Sequence, residues 1–157
     1  MFKDAIFSED RIYRYVLIRI WDDYLPKIIF MGLNPSVADE NSSDKTINQC
    51  IKYAKSLNYG GIYMLNLYAF VSKNPTKLKD VKNPIGSKND KYINEYLDKS
   101  DIVVCMWGNN LLSQKRADEI LKKIKNPYCF KINKSGQPSH ISRLPLNLKL
   151  IKFKKIN

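Results

Sequence analysis

The alternation of apolar and polar positions divides the chain into strand-like and helix-like stretches. Arg14-Tyr15-Val16-Leu17-Ile18-Arg19-Ile20-Trp21 alternates and is rich in β-branched residues, which predicts a strand. Asp22-Asp23-Tyr24-Leu25-Pro26 reads as a turn, and Lys27-Ile28-Ile29-Phe30-Met31 as a fully buried strand, because it is apolar on both faces. Asp44 stands before Ile47, Ile51, Tyr53, Ala54 and Leu57, the spacing of an amphipathic helix with an Asp cap, stopped by Asn58-Tyr59-Gly60-Gly61. Residues 62–67 predict a third strand, 88–97 a helix, 101–107 a fourth strand, 112–124 a helix and 128–130 a short fifth strand. Residues 148–155 read as a strand or a basic arm.

Strands that alternate with helices imply a doubly wound α/β sheet with helices on both faces. The expectation is therefore a three-layer α/β/α sandwich, its central sheet mostly parallel and of four to five strands. A chain of 157 residues suits one domain, spanning 1–157 without a linker or repeat. No apolar run approaches the roughly 20 residues needed to span a bilayer, and the first residues lack the apolar core of a secretory signal. Cys50, Cys105 and Cys129 are odd in number and widely spaced, which predicts reduced, buried thiols in a cytoplasmic protein. With a single histidine, no zinc site and no other metal or cofactor is expected.

Charge changes this picture only in part. The net charge of +12 invites a nucleic-acid partner. However, the 22 Lys, 15 Asn and 18 Ile all have AT-rich codons, so some of the lysine reflects base composition. Residues 1–78 carry a net +2 and residues 79–157 a net +10, and a basic half is the better clue.

In an open α/β sheet, ligands bind beyond the C-terminal ends of the strands. Four loops fall there: Gly32-Leu33-Asn34-Pro35-Ser36; Asn66-Leu67-Tyr68-Ala69-Phe70; Trp107-Gly108-Asn109-Asn110; and Gly136-Gln137-Pro138-Ser139-His140-Ile141-Ser142-Arg143. Each has a structural reading as well. Gly32 and Pro35 shape a turn, Asn34 hydrogen-bonds its own loop, and Asn66 clamps a strand end. His140 is the only imidazole in the chain, and its polar loop favours a role as proton donor to a leaving group. Asp44, Thr46, Asn89 and Asp90 fall at helix starts; capping is their simpler role, small-molecule chemistry the alternative.

Together these residues resemble the bacterial and phage family known as domain of unknown function 1643. The motifs are Leu33-Asn34-Pro35-Ser36 with Ala38, Asp44 with Thr46-Ile47, and Tyr59-Gly60-Gly61. Asn66-Leu67-Tyr68-Ala69-Phe70, Pro84-Ile85-Gly86 with Asn89-Asp90, Trp107-Gly108, and Gly136-Gln137-Pro138 with His140 complete the set. That resemblance names no reaction. More distantly, the order of loops is similar to the uracil-DNA glycosylase superfamily, with Gly32-Leu33-Asn34-Pro35 as its first motif and Pro138-Ser139-His140-Ile141-Ser142-Arg143 as counterpart of its last. The late loop lacks that superfamily's His-Pro-Ser order, and Val37 stands near where its base-stacking aromatic is expected.

The resemblance implies an enzyme acting on a nucleobase or its glycosidic bond, in DNA or in a free nucleotide, and not ordinary uracil excision. Asn34 would orient a water and His140 would stabilise the departing base. Tyr68, Phe70 or Trp107 would stack on the base and Asn66 would read its edge. Gly32, Leu33, Pro35, Ser36, Gly108 and Ser139 would complete the pocket, and Arg143 would meet a phosphate. The alternative is a non-catalytic module that binds nucleic acid or a nucleotide, in phage–host conflict. No membrane partner is expected.

Overall fold

The computed structural model describes residues 1–153. Its strands are β1 (Phe2–Phe7), β2 (Arg14–Ile20), β3 (Lys27–Gly32), β4 (Gly61–Asn66), β5 (Val103–Cys105), β6 (Pro127–Cys129) and β7 (Ile151–Lys152). The helices are α1 (Lys45–Ser56), α2 (Asn89–Leu97) and α3 (Gln114–Lys123), with short 3-10 turns at Pro75–Asp80 and Ile141–Arg143. The strands join in one sheet, ordered β1-β2-β4-β3-β5-β6-β7.

The expected strands and helices are present, but the sheet is mixed and seven-stranded, not mostly parallel with four to five strands. Only the centre, β4-β3-β5-β6, is parallel; β1, β2 and β7 pair antiparallel. The direction of β2 has a simple cause. Residues 21–26 are too few for a parallel crossover, which takes about a dozen, so β2 must run opposite to β3. β1 escaped the pattern because it is an edge strand whose Lys3 and Asp4 face water and whose apolar half is only part-buried. Of the tail, Ile151 and Lys152 form β7; Lys154 and Lys155 lie outside the described residues.

Successive residues of β3 feed two cores, as period two requires. Ile28 and Phe30 pack with Ile47, Cys50, Tyr53 and Ala54 of α1 on one face. Ile29 and Met31 pack with Ile93 and Tyr96 of α2 and Ala117 and Ile120 of α3 on the other. Asp44 caps α1 as expected, its Oδ1 accepting the Ile47 N–H at 3.0 Å. β4 lies on one side of β3 and β5 on the other, so the loops leaving β3 and β5 diverge and open a crevice between them. No helix among the described residues is long and apolar enough to cross a membrane.

Candidate functional site

The crevice is a cleft of about 550 Å³ at the C-terminal ends of the central strands. Gly32, Leu33, Asn34, Pro35, Ser36, Asn66, Trp107, Gly108, Ser139, His140 and Arg143 all line it, so the four loops do converge. Backbone bonds set the first loop beside the second: Leu67 N–H donates to Gly32 O at 3.0 Å, Tyr68 N–H to Leu33 O at 2.9 Å and Ser72 N–H to Pro35 O at 2.9 Å.

Asn66 ends β4 directly opposite Gly32 of β3. It is only 2% exposed, yet among the described residues neither Nδ2 nor Oδ1 of its amide has a hydrogen-bond partner. Leaving a buried polar group unmade costs about 1–3 kcal/mol, so two such atoms on one amide are a cost the fold itself does not explain. The backbone beneath it is held firmly, since Asn89 Nδ2 donates to Asn66 O at 3.1 Å and to Leu67 O at 3.2 Å. Asn89 is thus a strand clamp rather than a helix cap, and Asp90 pairs with Arg116 at 2.8 Å outside the cleft. Gly32 is glycine for a steric reason: a Cβ there would stand 2.8 Å from Asn66 Oδ1 and 3.0 Å from Met64 Cε.

The Asn34 side chain is oriented by carbonyls. Its Nδ2 donates to Ser72 O at 2.9 Å and to Pro35 O at 3.1 Å. Carbonyls only accept, so the amide nitrogen must face them. Its Oδ1 accepts no hydrogen bond from the described residues and remains an acceptor for the cleft. His140 is oriented as well. The Ser142 N–H donates to His140 Nδ1 at 3.2 Å, and the Ser142 hydroxyl lies 2.6 Å from the same nitrogen. With Nδ1 accepting, the neutral ring carries its proton on Nε2. Burial, reinforced by Arg143, lowers the His140 pKa from 6.5, which keeps the ring neutral at pH 7. Ile141, buried against the α1 core, anchors this loop.

The aromatic residues are placed differently from expectation. Tyr68 and Phe70 do not line the cleft; both belong to the core beneath α2 and α3, where Phe70 packs edge-on against Tyr13. Trp107 reaches the cleft but is 3% exposed, stacks edge-on with Phe153 at 5.8 Å and donates Nε1–H to Gln137 Oε1 at 2.9 Å. None of the three offers a free face to a base. The strand alternation breaks down where the chain enters these loops, so side-chain direction there was not readable from spacing.

The basic second half of the sequence is also not gathered here. Among the described residues, the cations lining the cleft are Arg14, Lys73 and Arg143, and the only carboxylate is Asp44. The sequence pattern does not single out Arg14, because an arginine opening a strand reads as a solvated end. It is instead 2% exposed, and burial lowers its pKa to about 10 against the opposing pull of Asp44, so it stays cationic at neutral pH. Thr46 and the Asn109-Asn110 pair line the cleft as well.

The three cysteines are buried and free, and burial pushes their thiols up, that of Cys129 to about 11, so none is a nucleophile. Among the described residues no cluster of His, Cys, Asp and Glu could hold a metal ion.

No curated protein and no solved structure matches the chain. Residues 14–141, which include β2 through the His140 loop, match the model of a family described as "Protein of unknown function (DUF1643)", and the chain belongs to that family.

Proposed function

We propose that the cleft binds a nucleobase and that the protein is an enzyme acting on that base or its glycosidic bond, in DNA or in a nucleotide. The unsatisfied amide of Asn66 carries this reading. A side-chain amide offers one acceptor beside two donors, the complement of the paired donor and acceptor on the edge of a base. The arrangement is similar to that of the uracil-DNA glycosylase superfamily, whose α/β/α fold the order of loops also supports.

In this reading the bond from the sugar C1′ to the base nitrogen breaks with its electron pair leaving on the base. Nε2–H of neutral His140 donates to the base oxygen or nitrogen where that charge collects. Oδ1 of Asn34 accepts from a water and aims its oxygen at C1′; the water's proton passes to solvent, since an amide cannot take it. The absence of a free aromatic face distinguishes the cleft from ordinary uracil excision and favours recognition by hydrogen bonds over stacking.

Two outcomes test this. Oligonucleotides and nucleotides carrying a panel of natural and altered bases are expected to yield free base from at least one member, read by chromatography. Asn34→Ala is expected to lower that turnover about a hundredfold while binding persists, as misplacement of a reactant does. Turnover unchanged by the substitution would remove Asn34 from the mechanism. Binding without release of any base would leave a non-catalytic module.

The pH profile follows from His140. Its pKa is lowered by burial and then by Arg143. In acid the proton goes to Nδ1, which then no longer accepts the Ser142 N–H that orients the ring, so the oriented neutral form prevails above a midpoint below 6.5. Turnover is expected to rise along one acid limb below that value and to stay flat through pH 8, and His140→Gln is expected to erase the limb. The sign for stability is the same: the unfolded ring takes up a proton more readily, so folding weakens as the pH falls below about 6.5.

A further inference from the structure

Three arginines of this protein are buried, and they are satisfied unequally. Arg19 is fully enclosed by acceptors: Nε donates to Ser43 Oγ at 3.1 Å, NH1 to Ile18 O at 2.9 Å, and NH2 to Asp39 O and to Ser42 O at 3.0 Å from the latter. Arg116 donates Nε–H to Leu67 O at 2.9 Å and pairs with Asp90. Arg14 lies in the cleft wall, and one contact serves it, from NH1 to Ala38 O at 3.0 Å. Its Nε is buried without a partner, and among the described residues no carboxylate is in ion-pair contact with it. Asp44 faces the same cleft, but its Oδ1 is engaged by the Ile47 N–H and its attraction does not become a contact. A buried guanidinium left this way is expensive unless an anion completes it.

We infer that Arg14 receives the phosphate of a nucleotide, and so gives the cleft an anion subsite beside the base-reading amide of Asn66. The inference rests on the nucleobase reading above and narrows it. Arg14 N–H donates to Ala69 O at 2.9 Å, which sets the start of β2 alongside the chain leaving β4, three residues beyond Asn66. Adjacent strands lie about 4.8 Å apart, so one ligand can meet both side chains. A guanidinium fork matches phosphate oxygens in pairs, and Lys73 and Arg143 at the rim add positive charge against Asp44, the one carboxylate there among the described residues. A free base or a nucleoside would engage Asn66 and leave Arg14 unanswered.

The test is a calorimetric titration of the intact protein at fixed ionic strength with inorganic phosphate, a set of nucleosides, their 5′-monophosphates and short single-stranded oligonucleotides. For the preferred base, the monophosphate is expected to bind at least about tenfold tighter than the nucleoside, the contribution of one charge-assisted hydrogen bond, and inorganic phosphate is expected to compete. Arg14→Gln is expected to erase that preference and leave nucleoside affinity in place, with its fold checked by circular dichroism. Equal affinity for nucleoside and monophosphate in the unaltered protein overturns the inference, even if Arg14→Gln does not fold. So does a folded Arg14→Gln that keeps the preference. Tighter binding of the oligonucleotide, again lost in Arg14→Gln, supports the same subsite and places the phosphate in a strand instead of a free nucleotide. Arg14-dependent binding without base release would remove the enzyme reading and keep the subsite; base release with no preference for phosphate would do the reverse.

Discussion

Asn66→Leu is expected to make the protein more stable and to abolish its recognition of a base. The amide is 2% exposed with both polar atoms unpartnered among the described residues, a burden of about 1–3 kcal/mol per atom. Leucine has the same branched shape and number of side-chain heavy atoms, is bulkier at its two methyls and has no polar atoms, so the burden disappears while the packing against Met64 and Gly32 stays filled. A net gain of about 1–2 kcal/mol would raise the melting temperature of a chain this long by roughly 3–7 °C. Against that, two hydrogen bonds to a base edge worth about 1.5 kcal/mol each would be lost, about a hundredfold in affinity. Melting curves and titrations on the same preparation read both effects. A variant that is less stable, or that binds as well as before, would show that the amide is a structural clamp and not a recognition group.

The second large effect is expected at Arg19, where function is not directly involved. Its guanidinium is 0% exposed and collects the carbonyls of Ile18, Asp39 and Ser42 and the hydroxyl of Ser43. Asp39, Ser42 and Ser43 lie on the segment that leads to Asp44, so Arg19 ties the approach to α1 onto β2. Arg19→Met keeps most of the stem's apolar packing but leaves several carbonyls without a donor. A loss of about 3–5 kcal/mol is expected, a large share of the 5–15 kcal/mol that holds a typical domain together. Urea unfolding measures it. A loss below about 1 kcal/mol would mean that the cost of burying the charge nearly cancels the bonds it makes. The two arginines of β2 thus make opposite expectations: one is spent on the fold, the other is held for a ligand.

What the sequence made legible follows from what local pattern encodes. Periodicity revealed every strand of the parallel centre and all three helices, because each buries a continuous apolar face. The convergence of Gly32, Asn66, Gly108 and His140 was legible for a related reason: parallel strands put all their C-terminal ends on one edge. Strand direction at β2 was legible only through the shortness of residues 21–26, which the strand-helix alternation masked. β1 was hidden by Lys3 and Asp4, since a strand paired on one side need not be apolar. Tyr68 and Phe70 sit past the strand end, where no period governs which way a ring turns. Arg14 was missed because one-dimensional pattern records that a charge interrupts an apolar run, and not whether water reaches it.

The flanks of the sheet bear on how the protein behaves at high concentration. Among the described residues its two outermost strands are β1, with exposed Lys3 and Asp4, and β7, two residues long. Open edges invite strand-by-strand addition of other chains, the first step toward insoluble aggregates. Here one edge is guarded by charge, and the described part of the other is short. The apolar parallel core, the part most prone to such growth, is enclosed between them, and the polar margins act as its gatekeepers.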